Sequence, residues 1–141
     1  MMLVSDLHIE DEYITVTHDM SVVEVAKKLT ENGIPDAVVI DDQEKVLGVL
    51  DDFDIVSKGV AKEKDLKQLT AKDIMFAPPP LKLDNDLTRV KELFDEFECT
   101  VLPVVDDERK LLGVVTIMDL MGGLSKEVSF LSRLTMAFRR G

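Results

Sequence analysis

The sequence predicts a mixed α/β (α+β) chain made of two β-α-β-β-α units, and three observations lead there. The first is an internal duplication. Laid without a gap on residues 79–121, residues 14–56 match at Asp19/Asp84, Val25/Val90, Glu31/Glu96, Val39/Val104, Asp41/Asp106, Asp42/Asp107, Lys45/Lys110, Leu47/Leu112, Gly48/Gly113, Val49/Val114 and Asp54/Asp119. The matches gather on one short segment, as a duplication requires. The second is the pattern inside that segment. Val101-Leu102-Pro103-Val104-Val105 and Leu111-Leu112-Gly113-Val114-Val115 flank the charged stretch Asp106–Lys110, which reads as a β-hairpin. The third is the exit, Thr116-Ile117-Met118-Asp119, where a hydroxyl followed three residues later by a carboxylate reads as a helix start.

Taken in order, residues 1–12 are a leader with an amphipathic patch at Leu3, Val4 and Leu7. Tyr13 to Val16 alternates and predicts a short strand. Asp19 or Ser21 can cap a helix over Val22–Asn32, where Val22, Val25, Ala26 and Leu29 share a face and Asn32-Gly33 ends it. Ala37–Ile40 and Val46–Leu50 form the hairpin, and a helix follows from about Asp52 to Lys58. The first unit is thus residues 1–60, the Lys-rich connector is 61–72, and the second unit is 73–124. In that unit Pro78-Pro79-Pro80 enforces an extended chain fit only for a sheet edge. Its first helix is expected over Leu87–Phe97, with Leu87, Val90, Phe94 and Phe97 on one face. Gly122-Gly123 is expected to separate a tail, residues 125–141, with its own stripe of Val128, Leu131, Leu134 and Phe138.

The 141 residues carry 28 acidic and 17 basic side chains, a net charge of −11. Such a surface repels nucleic-acid phosphates and anionic lipid, so neither is an expected partner. The sequence shows no apolar stretch long enough to span a membrane and no signal-peptide pattern at its start, and a single Cys fits a reducing cytoplasm. A cytoplasmic protein is expected.

The pairs Thr116…Asp119 and Asp51…Asp54 admit two readings that do not exclude each other. In one, each pair caps a helix. In the other, a hydroxyl or carboxylate beside free backbone N–H groups holds a sugar diol or a phosphate. Asp51-Asp52-x-Asp54 and Asp41-Asp42 also supply the oxygen ligands that Mg²⁺ or Ca²⁺ takes. No EF-hand loop follows, and Asp41-Asp42 and Asp106-Asp107 suit exposed turns, so no metal site is expected. No catalytic residue is assigned, since no Ser/His/Asp set, P-loop or Gly-rich phosphate loop occurs. A metal-dependent hydrolase built on the aspartates ranks last, because no base or nucleophile accompanies them.

The duplicated pattern, LPVVDDERKLLGVVTIMDLM and the looser DAVVIDDQEKVLGVLDDFDIV, resembles a tandem pair of CBS (cystathionine-β-synthase) domains, a Bateman module. Asp73-Ile74-Met75 is similar to the family's opening motif. The resemblance implies two units packed sheet to sheet about a pseudo-twofold axis, with a cleft on each side for an adenosine-type ligand. It implies that a motif Asp holds the ribose diol. Thr116 and Asp119 match that motif fully, and Asp51 and Asp54 match it at the Asp. Base-contacting positions would be Ile9, Ile14, Ile34, Pro35 and Val114 beside Asp119, and Phe76, Pro79, Cys99, Thr100 and Val49 beside Asp54. An Arg that often precedes the motif Asp is replaced by Phe53 and Met118, so the usual phosphate partner is missing. The expectation is a regulatory sensor, not an enzyme, that needs no cofactor and binds AMP, ADP, ATP or S-adenosylmethionine. A homodimer is favoured by the resemblance, and residues 125–141 could dock a protein target. The alternative is a ligand-free scaffold for dimerisation and docking. Asp119 is expected to mark the stronger cleft for nucleotides, because an ionised Asp51 repels phosphate.

Overall fold

The computed structural model describes the chain except residues 11, 12 and 141, and its side chains except Phe130 and 134–140. The first unit forms a three-stranded sheet of β1 (Ile14–Thr17), β2 (Asp36–Ile40) and β3 (Val46–Asp51). β1 runs parallel to β2, and β3 returns antiparallel. Helix α1 (Val22–Asn32) makes the crossover between the parallel strands. Ser21 caps it by accepting from the Glu24 N–H at 3.2 Å, and Gly33 closes it at φ 63°, a left-handed conformation that glycine adopts without strain. Val22, Val25 and Leu29 are its buried face.

The second unit repeats this at the 65-residue offset with one loss. β4 (Val101–Val105) pairs antiparallel with β5 (Leu111–Thr116), and Val104↔Gly113 is the counterpart of Val39↔Gly48. The slip in register after Val39 recurs after Val104. The expected first strand is reduced to a single parallel bridge, Leu81↔Val104. Pro78, Pro79 and Pro80 bring no N–H groups, so Leu81 supplies the edge bond, donating to the Pro103 carbonyl at 2.8 Å.

Both hairpin turns use the first Asp of their pair. Asp41 Oδ1 accepts from the N–H groups of Gln43 (2.8 Å) and Lys45 (2.9 Å), and Asp106 Oδ1 does the same for Glu108 (2.8 Å) and Lys110 (2.9 Å). Glu44 and Arg109 sit at equivalent left-handed positions, φ 63° and 65°.

Lys45 and Lys110, which are repeat equivalents, bridge to each other across the two units. A contact between equivalent residues is what a twofold axis requires. Around it, Val38, Val46 and Val49 of the first sheet join Val101, Leu102, Val104, Val114 and Val115 of the second in one core. Ala37 and Val39, on the opposite face of β2, pack instead with α1 in the other core.

The leaders are exchanged between units. Residues 3–9 lie on the second unit: Val4 donates to the Asn85 carbonyl at 2.8 Å, and the Ile9 carbonyl accepts from Val114 at 2.8 Å. Residues 66–76, including α3 (Ala71–Ile74), lie on the first: the Leu69 carbonyl accepts from Val22 at 2.8 Å, and the Phe76 carbonyl from Val49 at 2.9 Å.

Two expectations need correction. Helix α4 (Leu87–Glu96) ends before Phe97, and its buried face is Leu87, Val90 and Leu93, leaving Phe94 and Phe97 half-buried beyond it. Helix α5 runs unbroken from Ile117 to Arg140, so Gly122-Gly123 does not divide it. Gly123 is buried in the helix, where an added Cβ would press on Leu7 and Leu87. Val128 and Leu131 are exposed, while the Leu134 and Phe138 side chains lie outside the described residues.

Candidate functional site

Each hairpin ends in a reciprocal cap. The Asp51 N–H donates to Asp54 Oδ2 at 2.9 Å, and the Asp54 N–H donates to Asp51 Oδ1 at 2.9 Å. In the second unit the Thr116 N–H donates to Asp119 Oδ2 at 2.9 Å, and the Asp119 N–H donates to Thr116 Oγ1 at 3.1 Å. The capping reading therefore holds in both copies, and it leaves the outer oxygen of each motif Asp free for other partners. For Asp54 that oxygen, Oδ1, lies 3.4 Å from Lys58 Nζ.

Lys58 belongs to α2, which begins at Asp52–Asp54 and widens into a π-helix over Ile55–Val60. Such widened turns often accompany functional sites because they re-aim side chains. The Lys58 ammonium also donates to the Ile74 carbonyl at 2.9 Å and lies 3.6 Å from the centre of the Phe76 ring. Asp54 is only 4% exposed, and burial raises its carboxyl above the ordinary value despite this cation. Burial likewise raises Asp36, whose carboxylate accepts from the Thr100 hydroxyl at 2.9 Å.

Beside these groups opens a cavity of about 590 Å³ between α2, Phe76 and the end of α4. Asp51, Asp54, Lys58, Phe76, Cys99 and Thr100 line it, with Phe53, Ser57, Phe94, Phe97 and Glu98 around them. A small recess reaches inward from it to Val49 and Val101. Five positions named from sequence thus meet in one place: Asp51, Asp54, Phe76, Cys99 and Thr100, with Val49 behind. Pro79 is exposed and is not among the lining residues. Burial pushes the Cys99 thiol up to about 11, so it is a neutral wall atom at ordinary pH.

The residues named around Asp119 are distributed differently. Val114 pairs with the Ile9 backbone, and Ile14 is buried in the first core. Ile34 and Pro35 border a depression of about 260 Å³ that also includes Gly33 and Asp52. Repeat equivalence explains part of the contrast between the two sides: Lys58, Glu98 and Phe53 correspond to Gly123, Gly33 and Met118. Among the described residues no group of three His, Cys, Asp or Glu is placed to hold a metal ion.

Sequence reading did not assign Lys58, Phe53, Ser57 or Glu98 to the site, and it placed Phe94 and Phe97 on a core stripe. The available signal was Lys58, one helical turn after Asp54 and so on its face. The aromatic lining carried none, because Phe at helical spacing reads equally as core.

Exchanged leaders, paired hairpins about a twofold and a cavity beside Asp54 define a two-repeat architecture with room for a ligand. The comparisons agree with it. The family model for the CBS domain matches residues 4–61 and 71–126, and the chain belongs to that family as a tandem pair. Among curated proteins it is similar to an uncharacterized protein of Methanopyrus kandleri, MK0525, at 31% identity over 111 residues. That match covers 78% of this chain and 57% of the relative, so the chain spans little more than half of it. Among solved structures it resembles the CBS domain pair of protein MJ0100 in complex with 5-methylthioadenosine and S-adenosyl-L-methionine, with 27% identity and a TM-score of 0.72. The overlap there covers 89% of this chain and 98% of that one. The CBS domain protein TA0289 of Thermoplasma acidophilum, of unknown function, follows with 26% identity and a TM-score of 0.74, over 85% of this chain and 67% of that one.

Proposed function

We propose that this chain is a regulatory sensor module, not an enzyme, that takes an adenosine-containing ligand in the cavity beside Asp54. One observation carries the reading: a carboxylate anchored at a strand-to-helix turn faces a cavity of about 590 Å³ walled by aromatic rings. A flat base needs apolar walls and a ribose diol needs a fixed acceptor, and both are supplied here. The ligands in the MJ0100 structure are adenosine compounds, which supports the same assignment. Thr116, Asp119, Val114, Ile9, Ile14, Ile34 and Pro35 are proposed as the second cleft by repeat equivalence. Among the described residues no helix is long and apolar enough to cross a membrane, and a cytoplasmic setting is part of the proposal.

Thermal denaturation with AMP, ADP, ATP, methylthioadenosine and S-adenosylmethionine tests this. A bound ligand at a hundred times its Kd adds about 2.7 kcal/mol and raises Tm by several degrees. No shift with any of the five favours the scaffold reading instead.

That second reading has its own support. Phe53 and Val56 are exposed at 68% and 52%, and their repeat equivalents Met118 and Met121 at 74% and 57%. Together with Val128 and Leu131 they suit self-association into a homodimer or docking of a protein target. Sedimentation of a Val128→Lys/Leu131→Lys variant beside the wild type reads whether α5 holds the contact: dissociation is expected, and an unchanged species removes α5 from it.

A further inference from the structure

We infer that the Asp54 cavity selects its ligand by charge: it accepts adenosine derivatives whose 5′ substituent is an uncharged thioether or a cationic sulfonium, and it turns away nucleoside phosphates. The inference rests on the cavity being the adenosine site and adds which class enters.

A phosphate needs hydrogen-bond donors, and of the three lining side chains with an N–H or O–H donor, Lys58, Thr100 and Ser57, the first two are already committed. An ammonium offers three N–H bonds. Those of Lys58 meet Asp54 Oδ1 at 3.4 Å, the Ile74 carbonyl at 2.9 Å and the Phe76 ring at 3.6 Å. The Thr100 hydroxyl donates to Asp36 at 2.9 Å, with Asp51 Oδ2 also 3.4 Å away. At the start of α2 the Asp52 N–H is taken by the Pro35 carbonyl at 3.0 Å, and the Asp54 N–H by Asp51 Oδ1 at 2.9 Å. The lining carries three carboxylates, Asp51, Asp54 and Glu98, against the single ammonium of Lys58. The whole chain adds a net charge of −11. A phosphate therefore meets acceptors and repulsion, and reaching Lys58 would mean stripping it from Asp54, which is only 4% exposed.

The same lining suits a cation. Phe53, Phe76, Phe94 and Phe97 present ring faces or edges to the cavity, and exposed Glu98 stands at its rim. Aromatic walls with a nearby carboxylate attract a sulfonium as they do a quaternary ammonium. An uncharged thioether loses that attraction and also escapes the repulsion. These features belong to this side alone, since Gly123 and Gly33 replace Lys58 and Glu98 in the other repeat.

The test is an NMR titration of the full chain with S-adenosylmethionine, methylthioadenosine and AMP, affinity being read from the amide shifts of Phe94, Glu98 and Thr100. Those amides report on this cavity, whatever happens near Asp119. S-adenosylmethionine should bind at least about tenfold tighter than AMP, a difference of about 1.4 kcal/mol, with methylthioadenosine between them. Glu98→Gln, at an exposed position that folding tolerates, should narrow the ratio, and so should raising the ionic strength. AMP binding as tightly as S-adenosylmethionine, or a ratio indifferent to both Glu98→Gln and salt, overturns the charge selection and leaves the adenosine site standing. Failure of all three compounds to shift these amides overturns the site and the selection together.

Discussion

Asp54 is where sequence, burial and chemistry meet at the scale of a residue. Burial makes its folded carboxyl hold a proton more tightly than the unfolded chain does, against an ordinary value of 3.8. Ionising it therefore costs stability. That cost is absent well below pH 3.8, grows as pH rises toward the folded value, and is constant above it. Urea melts of wild type and Asp54→Asn across the acid range should show the wild type losing ground to the variant as pH rises, then a flat difference near neutrality. A difference that moves the other way would contradict the burial argument. Cys99 gives a second residue-scale prediction: with its thiol pushed up to about 11, it should alkylate slowly in the native protein at pH 8 and at the ordinary rate in urea. Fast native alkylation would mean the cavity wall is open. Asp51 and Asp54 were legible in the sequence from the repeated turn, while Phe76, Cys99 and Thr100 followed only from the family resemblance, which also pointed to Pro79, absent from the cavity lining. Lys58 and Glu98 were not, because the contacts that matter for them are with Ile74, Phe76 and the end of α4, and no local pattern encodes those.

At the scale of elements, each hairpin keeps a glycine for the sake of an exchanged leader. An added Cβ at Gly48 would meet the Phe76 carbonyl, and one at Gly113 the Ile9 carbonyl. Backbone cannot yield as a side-chain tip can, so Gly48→Ala and Gly113→Ala should each cost about 1–3 kcal/mol in urea unfolding. Two neutral substitutions would mean the leaders do not lie against the hairpins. Helix α5 offers a sharper contrast within two residues. Gly122 has nothing within 4 Å of its added Cβ, so Gly122→Ala should stabilise by about 0.5–1 kcal/mol through helix propensity alone. Gly123→Ala should lose that gain against Leu7 and Leu87. The order of elements was legible because period and turn residues are local signals. The continuity of α5 was not: Gly-Gly reads as a break, and only Leu7 and Leu87 arriving from elsewhere give Gly123 a reason to stay helical.

Over the whole molecule, the exchanged leaders decide how it unfolds. Val4 is fully buried among residues of the second unit, and Ala71 and Ile74 among those of the first. Neither unit completes its core from its own strands and helices, so the chain should melt in one cooperative transition by calorimetry. Two resolved transitions would show that the halves stand independently. The shared core also joins the two units mechanically, because the repeat equivalents Val49 and Val114 pack in the same cluster.

Whether the cavity over Asp54 holds an adenosine-type ligand is read from a crystal structure of the chain grown with saturating methylthioadenosine. The ligand is expected in the cavity of about 590 Å³, with its ribose hydroxyls on Asp54 and its base among Phe76, Cys99 and Thr100. An empty cavity in that crystal, with the ligand bound elsewhere or not at all, would contradict it.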